Sequence, residues 1–195
     1  MQSYFYYLEL NLRTFSTVLD TWRAQLSDAE LEKTQYAGLD VMQQLASKIT
    51  DVGRHALPVL RLYSAWLLTN SQVLTAGVGN DAVKSSIHRF WMVYVESMSL
   101  FATVFPVQSL PQISYMLEED VESIGFKPLE SEVSKKLWLD TASDSPKKKY
   151  SQSVRQTADV EMLARVRELL VDGLLLAVDQ VSSKYPCALT LLTKS

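Results

Sequence analysis

Apolar residues recur near the start of the chain in a strict rhythm. Phe5, Leu8, Leu12, Phe15, Leu19, Trp22 and Leu26 alternate spacings of three and four. That rhythm places them on one narrow stripe of an α-helix that packs lengthwise on a partner helix. Ser27, Asp28, Ala29 and Glu30 have the spacing of a capping box, in which the serine hydroxyl takes the N3 amide and the glutamate reaches back. A second helix is therefore expected to begin there and close a hairpin with the first. Leu39, Met42, Ala46 and Ile49 carry its stripe to about Val52. Gly53 and Pro58 mark the next boundary, because proline suits a first helical turn and disrupts later ones. From Pro58 to Leu68 the run PVLRLYSAWLL is apolar almost all round, with Arg61 as its one charge. It predicts a short buried helix, kinked or broken from the one before.

Gly77 and Gly79 mark a loop, and Asn80 or Asp81 caps a further helix whose face is Ile87, Phe90, Trp91, Tyr94, Met98, Phe101 and Phe105. The periodicity fades between Pro106 and Ser153. It returns at Val160, Leu163, Val166, Leu170, Leu174, Ala177 and Val181, a long helix expected to end near Lys184, before Pro186. No alternating strand pattern, glycine-rich nucleotide fingerprint or repeat stands out. The fold class is all-α, expected as antiparallel helical hairpins stacked in a solenoid-like bundle. One insert, Leu137 to Gln156, is dominated by serine, lysine and proline and reads as a mobile loop. Its Lys147, Lys148 and Lys149 read first as solvated charge, with a localisation signal or a phosphate-binding patch as alternatives. Ser145-Pro146 has the form of a proline-directed phosphorylation site.

Composition narrows the functional classes. The chain has 195 residues, is 47% hydrophobic and 21% charged, which suits a single domain over residues 1–195 with a real core. A formal charge of -3 gives no overall positive field to recruit polyanions. Cys187 is the only cysteine, so neither an intrachain disulfide nor a cysteine-based metal site is expected, and a reducing, intracellular setting follows. The N-terminus MQSYFYYLELNLR lacks a basic region and carries Glu9 where a signal peptide is apolar. The uncharged run from Ser97 to Leu117 contains Pro106 and Pro111 and would not span a membrane.

The stretch Leu117 to Glu130, LEEDVESIGFKPLE, places three consecutive acids, Glu118, Glu119 and Asp120, ahead of Gly125, Phe126 and Pro128. Read as a helix end, it puts Gly125 in the left-handed conformation, with Val121 and Phe126 touching in a Schellman motif. Pro128 then prevents the helix from resuming. The acids lie at the front of the helix, where the dipole favours them, so the stretch reads as architecture and not as an ion site. It also resembles the segment L-P-E-D-x-E-L-R-G-F-x-P-L of the ever-shorter-telomeres / SMG family, telomerase accessory subunits and adaptors of nonsense-mediated mRNA decay. Leu117, Glu119, Asp120, Glu122, Gly125, Phe126, Pro128 and Leu129 fit; Glu118 and Ile124 replace the family's proline and arginine. The run Leu57 to Leu68, with Pro58 and Trp66, resembles the family's buried proline-to-tryptophan helix. Arg165 to Val178 resembles its late arginine-leucine-glycine helix. The resemblance implies the family's helical domain, often labelled DNA/RNA-binding, excised from a larger protein.

Three functions compete. Catalysis finds little support: His55 and His88 are far apart, and no nucleophile, metal or phosphate-cradle spacing appears. A nucleic-acid site is conceivable on Lys84, His88 and Arg89, which share a helix face. Arg54, His55 and Arg61 could extend that basic surface, and Trp91 or Tyr94 could stack on bases. The acidity of the chain and the core-like spacing of those aromatics weigh against it. The reading that remains is a non-catalytic scaffold or adaptor. It needs no cofactor, binds other proteins of mRNA-surveillance or telomerase complexes, and works in the nucleus or cytoplasm. Binding of single-stranded RNA or DNA is the alternative.

Overall fold

The computed structural model describes residues 2–31, 40–71, 74, 81–127, 139–140, 145–146, 148–149 and 155–181. Helices α1 (Gln2–Leu31), α2 (Val41–Ser47), α3 (Asp51–Thr69), α4 (Asp81–Val104), α5 (Glu118–Glu122) and α6 (Ala158–Val181) account for most of them. The all-α class holds. Extended backbone pairing among the described residues is confined to two ladders of two residues per strand. In one, β1 (Tyr115–Met116) lies parallel to β4 (Lys148–Lys149); in the other, β2 (Leu139–Asp140) lies antiparallel to β3 (Ser145–Pro146). Of the insert 137–156, only these short strands and residues 155–156 fall within the described residues.

The stripe on α1 is buried as expected: Leu8, Leu12, Phe15, Leu19, Trp22 and Leu26 all lie in the core. The helix, however, runs through Ser27 to Glu30 and ends at Leu31. None of those four residues bars helical backbone angles, so the capping-box spacing starts nothing there. Asp40 supplies the next cap, its carboxylate accepting from the Gln43 N–H at 2.9 Å. Leu39, expected on the second stripe, lies outside the described residues.

The break that was expected around Gly53 and Pro58 falls earlier. Thr50 caps α3 by accepting from the Gly53 N–H at 3.2 Å, and donates its own hydroxyl to Gln25 at 2.6 Å. Pro58 then sits inside a continuous helix. It removes one backbone donor, but fully buried Leu57 and Leu60 on either side anchor the helix in the core.

Contacts along the helices reveal their directions. On α1 and α4, Glu9 accepts from Ser86 at 3.1 Å, Phe15 meets Phe90 at 5.8 Å, and Trp22 meets Phe101 at 4.1 Å between ring centres. Position rises together on both helices, so they run parallel. Tyr63 stacks on Phe15 and donates to Asn11 at 2.9 Å, while Thr50 reaches Gln25. Hence α3 runs antiparallel to α1. Arg54 pairs with Asp159 near the starts of α3 and α6, and about two turns farther along each helix Arg61 and Arg165 reach the same Glu119, so those two run parallel. Helix α4 meets α6 where Gly173 approaches Met98 and Tyr94.

The result is a bundle in which the consecutive long helices α1 and α3 run antiparallel, as expected, while α1 also packs along α4, and α3 along α6, as parallel pairs. The reason is volume. Phe15 and Trp22 need a long aromatic face, which Phe90, Tyr94, Phe101 and Phe105 supply and the seven-residue α2 cannot. On α6 the buried stripe keeps Leu163, Val166 and Leu170, but Leu174 turns out to solvent while Asp172 and Gly173 turn in.

Gly53 marks the closest approach. A Cβ there would sit 2.5 Å from the Trp22 Nε1. Replacing a helical glycine by alanine ordinarily gains about 1 kcal/mol. Here Trp22 is wholly buried against Phe101 and has nowhere to go. Gly53→Ala is expected to destabilise the domain by about 1–3 kcal/mol, measured as a lower urea midpoint. An unchanged or higher midpoint would show that the indole yields.

Candidate functional site: a buried ion network joining three segments

The acidic stretch opens α5. Its N-cap is Leu117, which has no polar side chain to offer, so the cap is built from the other side. Asp120 Oδ2 accepts the Leu117 N–H at 2.9 Å, satisfying one donor that the helix start leaves open. The same carboxylate binds Arg61 through Oδ1. Glu119 lies between two arginines. Its Oε1 accepts from Arg61 Nη1 at 3.0 Å and from Arg165 Nε at 2.8 Å, and its Oε2 accepts from Arg165 Nη2 at 2.8 Å. Arg165 thus grips Glu119 with two prongs of its planar fork, the strongest form of such a pair.

A second group adjoins the first. Arg165 Nη1 lies 4.0 Å from Glu161 Oε2. Glu161 accepts the Tyr115 hydroxyl at 2.9 Å and holds Arg155 at 3.1 and 3.2 Å. The Tyr115 oxygen in turn accepts the Gln156 N–H at 2.9 Å. Arg61, Glu119, Asp120, Glu161 and Arg165 are all buried, and with Arg155 the three arginines balance the three carboxylates. Burial alone would raise the Glu119 pKa. The Arg165 hydrogen bonds and the Arg61 and Arg165 charges prevail and hold it below the usual carboxylate value. For Tyr115 the burial dominates, and with the bond to Glu161 it pushes the phenol up.

The three stretches that carried the resemblance therefore meet at one point: Arg61 from the first, Glu119 and Asp120 from the second, Arg165 from the third. The acids are architecture, as expected, yet neither arginine stood out as their partner. The signal was present. A lone Arg61 in an apolar helix needs a counter-charge, and adjacent acids that follow an uncharged run, as Glu119 and Asp120 do, are natural suppliers. Beyond the acids, Gly125 has φ +84° as expected. The closure differs: the Phe126 N–H bonds the Ser123 carbonyl at 3.0 Å, and Phe126 is 55% exposed. The chain makes a four-residue turn where a Schellman motif with a Val121–Phe126 contact was expected. Pro128 lies outside the described residues. Pro58 is half-buried within α3, and Trp66 packs edge-on against Tyr63.

The basic positions are dispersed. Arg54 bonds Asp159 at 2.8 Å and the Ala46 carbonyl at 3.3 Å, joining α2, α3 and α6. Lys84, His88 and Arg89 are exposed on α4, with Lys84 3.2 Å from Asp81. Arg54 lies at the end of the bundle marked by Gln25, while Lys84 to Arg89 lie at the end marked by Glu9. Along α1 those ends are roughly 24 Å apart, so the two groups form no single surface. Arg61 is in the network and Tyr94 in the core, where burial pushes its phenol pKa up; Trp91 is half-buried against both Phe90 and Tyr94. Lys148 and Lys149 form β4, and Lys147 lies outside the described residues.

A family model described as the Est1 DNA/RNA binding domain matches residues 2–133. No curated protein and no solved structure matches the chain. The matched range takes in Arg61, Glu119 and Asp120; Glu161 and Arg165 complete the network from beyond it.

Removing one partner of a buried pair leaves the other uncompensated. Glu119→Gln is expected to cost about 3–5 kcal/mol at neutral pH, read from denaturant unfolding. The sign of the pH effect follows from the depressed folded pKa. Stability from Glu119 is fully present above the unfolded value, about 4.3, and is lost as pH falls through the lower folded value. Glu119→Gln should flatten that acid limb; equal slopes in parent and variant would contradict the network. Gly125→Ala should cost about 1 kcal/mol, purely from backbone strain, since nothing lies within 4 Å of its Cβ position. An unaltered melting temperature would count against that strain.

Proposed function

Because the chain belongs to the Est1 DNA/RNA binding domain family, we propose that it is a non-catalytic adaptor domain, a rigid helical frame that positions partners in an mRNA-surveillance or telomerase-associated assembly. The observation that carries this reading is the inward-facing network. Every acid and arginine of the three shared stretches that the network holds is bound to another member and withdrawn from solvent. Those residues hold helices in register and cannot touch a substrate. Contact with partners falls to the outer faces, where α1 presents Tyr6, Tyr7 and Leu10 to solvent. Aromatic side chains of this kind are enriched at protein interfaces. Such an adaptor requires no cofactor and would act in the nucleus or cytoplasm, where these assemblies work.

A second reading rests on the exposed Lys84, His88 and Arg89 of α4, a short cationic face that could take a single nucleic-acid strand. The formal charge of -3 opposes it, because neutralising phosphates is the main source of such affinity. One experiment separates the two: affinity capture from a cell extract with and without nuclease, followed by identification of retained proteins. The adaptor reading expects the same proteins after nuclease treatment. Loss of every partner overturns it. In that event Lys84→Glu with Arg89→Glu should weaken single-strand binding and reduce its logarithmic salt slope by about 1.4.

A further inference from the structure

Ser145 and Pro146 are followed by Lys147, Lys148 and Lys149, so the serine has proline next to it and lysine three positions on. A kinase that demands proline after its acceptor exploits the missing N–H, since any other residue would bring an unsatisfied donor into the groove. A cation farther along meets acidic groups of the enzyme. The combination is far more restrictive than Ser-Pro alone.

The backbone adds a second observation. Ser145–Pro146 is β3, paired with β2 in a ladder of two strands. Each strand of such a ladder is an edge, which is where proline is tolerated and where another chain can be engaged. The register sets Ser145 opposite Asp140, and Lys148 and Lys149 opposite Tyr115 and Met116 of β1. Strand β1 directly precedes Leu117, the cap of α5.

We propose that Ser145 is the acceptor of a proline-directed, ATP-dependent serine kinase, and that its phosphate acts as a charge switch on the β2–β3 ladder. The Ser145 hydroxyl oxygen attacks the γ-phosphorus of ATP. A bond between Oγ and phosphorus forms, the bond to the bridging oxygen of ADP breaks, and the hydroxyl proton passes to the kinase's base. The product carries about -1.5 to -2 charges at pH 7. The register pairs its residue with Asp140, and like charges across a ladder oppose pairing. In sequence it directly precedes Pro146 and the lysine run, whose charge it partly offsets. The ladder opens, and the three charges of the basic run are offset down to about one. This holds under either reading of function.

The test incubates the purified chain with a cyclin-dependent kinase and ATP, locates phosphate by mass spectrometry, and uses a peptide of residues 140–150 as reference. Phosphate is expected on Ser145 of both, absent from Ser145→Ala, and much slower to appear on Pro146→Ala and Lys148→Ala. Amide exchange at Leu139 and Asp140 should quicken in the phosphorylated chain. A peptide that is modified while the folded chain is not overturns the proposal, as does a Pro146→Ala chain modified as fast as the parent. Unchanged exchange at Leu139 and Asp140 overturns the switch.

Discussion

A guanidinium taken out of water must find counter-charges, and in this domain two of them, Arg61 and Arg165, find them on the same short helix. The effective penalty for burying an unpaired ion is several kcal/mol. Here Glu119 faces both arginines and Asp120 completes the set, while also capping its own helix. The geometry tolerates little displacement, because a bidentate grip fixes distance and plane together. A five-residue helix such as α5 could not persist alone. It persists because its two carboxylates are held from two sides.

That clamp decides how distant parts of the chain relate. Arg61 sits on α3 and Arg165 on α6, two helices that run side by side and in the same direction. Parallel neighbours cannot be joined by a short turn, so a long connection must pass between them, and α5 with β1 lies in that connection. The network docks the connection onto the helices it joins. On the other side of the bundle the charges lie at the rim, where Arg23 pairs with Glu96 and Glu9 accepts from Ser86. There α1 and α4 meet through rings, Phe15 on Phe90 and Trp22 on Phe101, and Gly53 lets α3 come close enough to cover the indole.

The functional reading follows from where the polarity goes. In an enzyme, perturbed charges gather at a cleft where a substrate can reach them. In this domain Glu119 is a carboxylate held below its usual range, and it is enclosed by two arginines. Its depressed pKa is a statement about stability. The surface that remains carries scattered aromatic and cationic residues on helices held in fixed register, which suits presentation to partners.

Helix positions were legible because burial needs only a periodicity, and the stripes on α1 and α4 display it residue by residue. The positive φ of Gly125 was legible too, since backbone sterics are local. Helix ends were less so. Ser27 to Glu30 carry a start signal that the continuing helix overrides, and Pro58 carries a stop signal that flanking buried leucines override. Pairing was not legible at all. Arg61, Glu119 and Arg165 each stood within a recognisable stretch, but nothing in a linear spacing states that residues 58 and 46 positions apart share one ion cluster. The chain by itself determined which faces are apolar and which charges need company, because both depend on residue type and local order. Only the tertiary structure decided that the partners of the helices run parallel and which acid answers which arginine, because those choices depend on volume and distance in space.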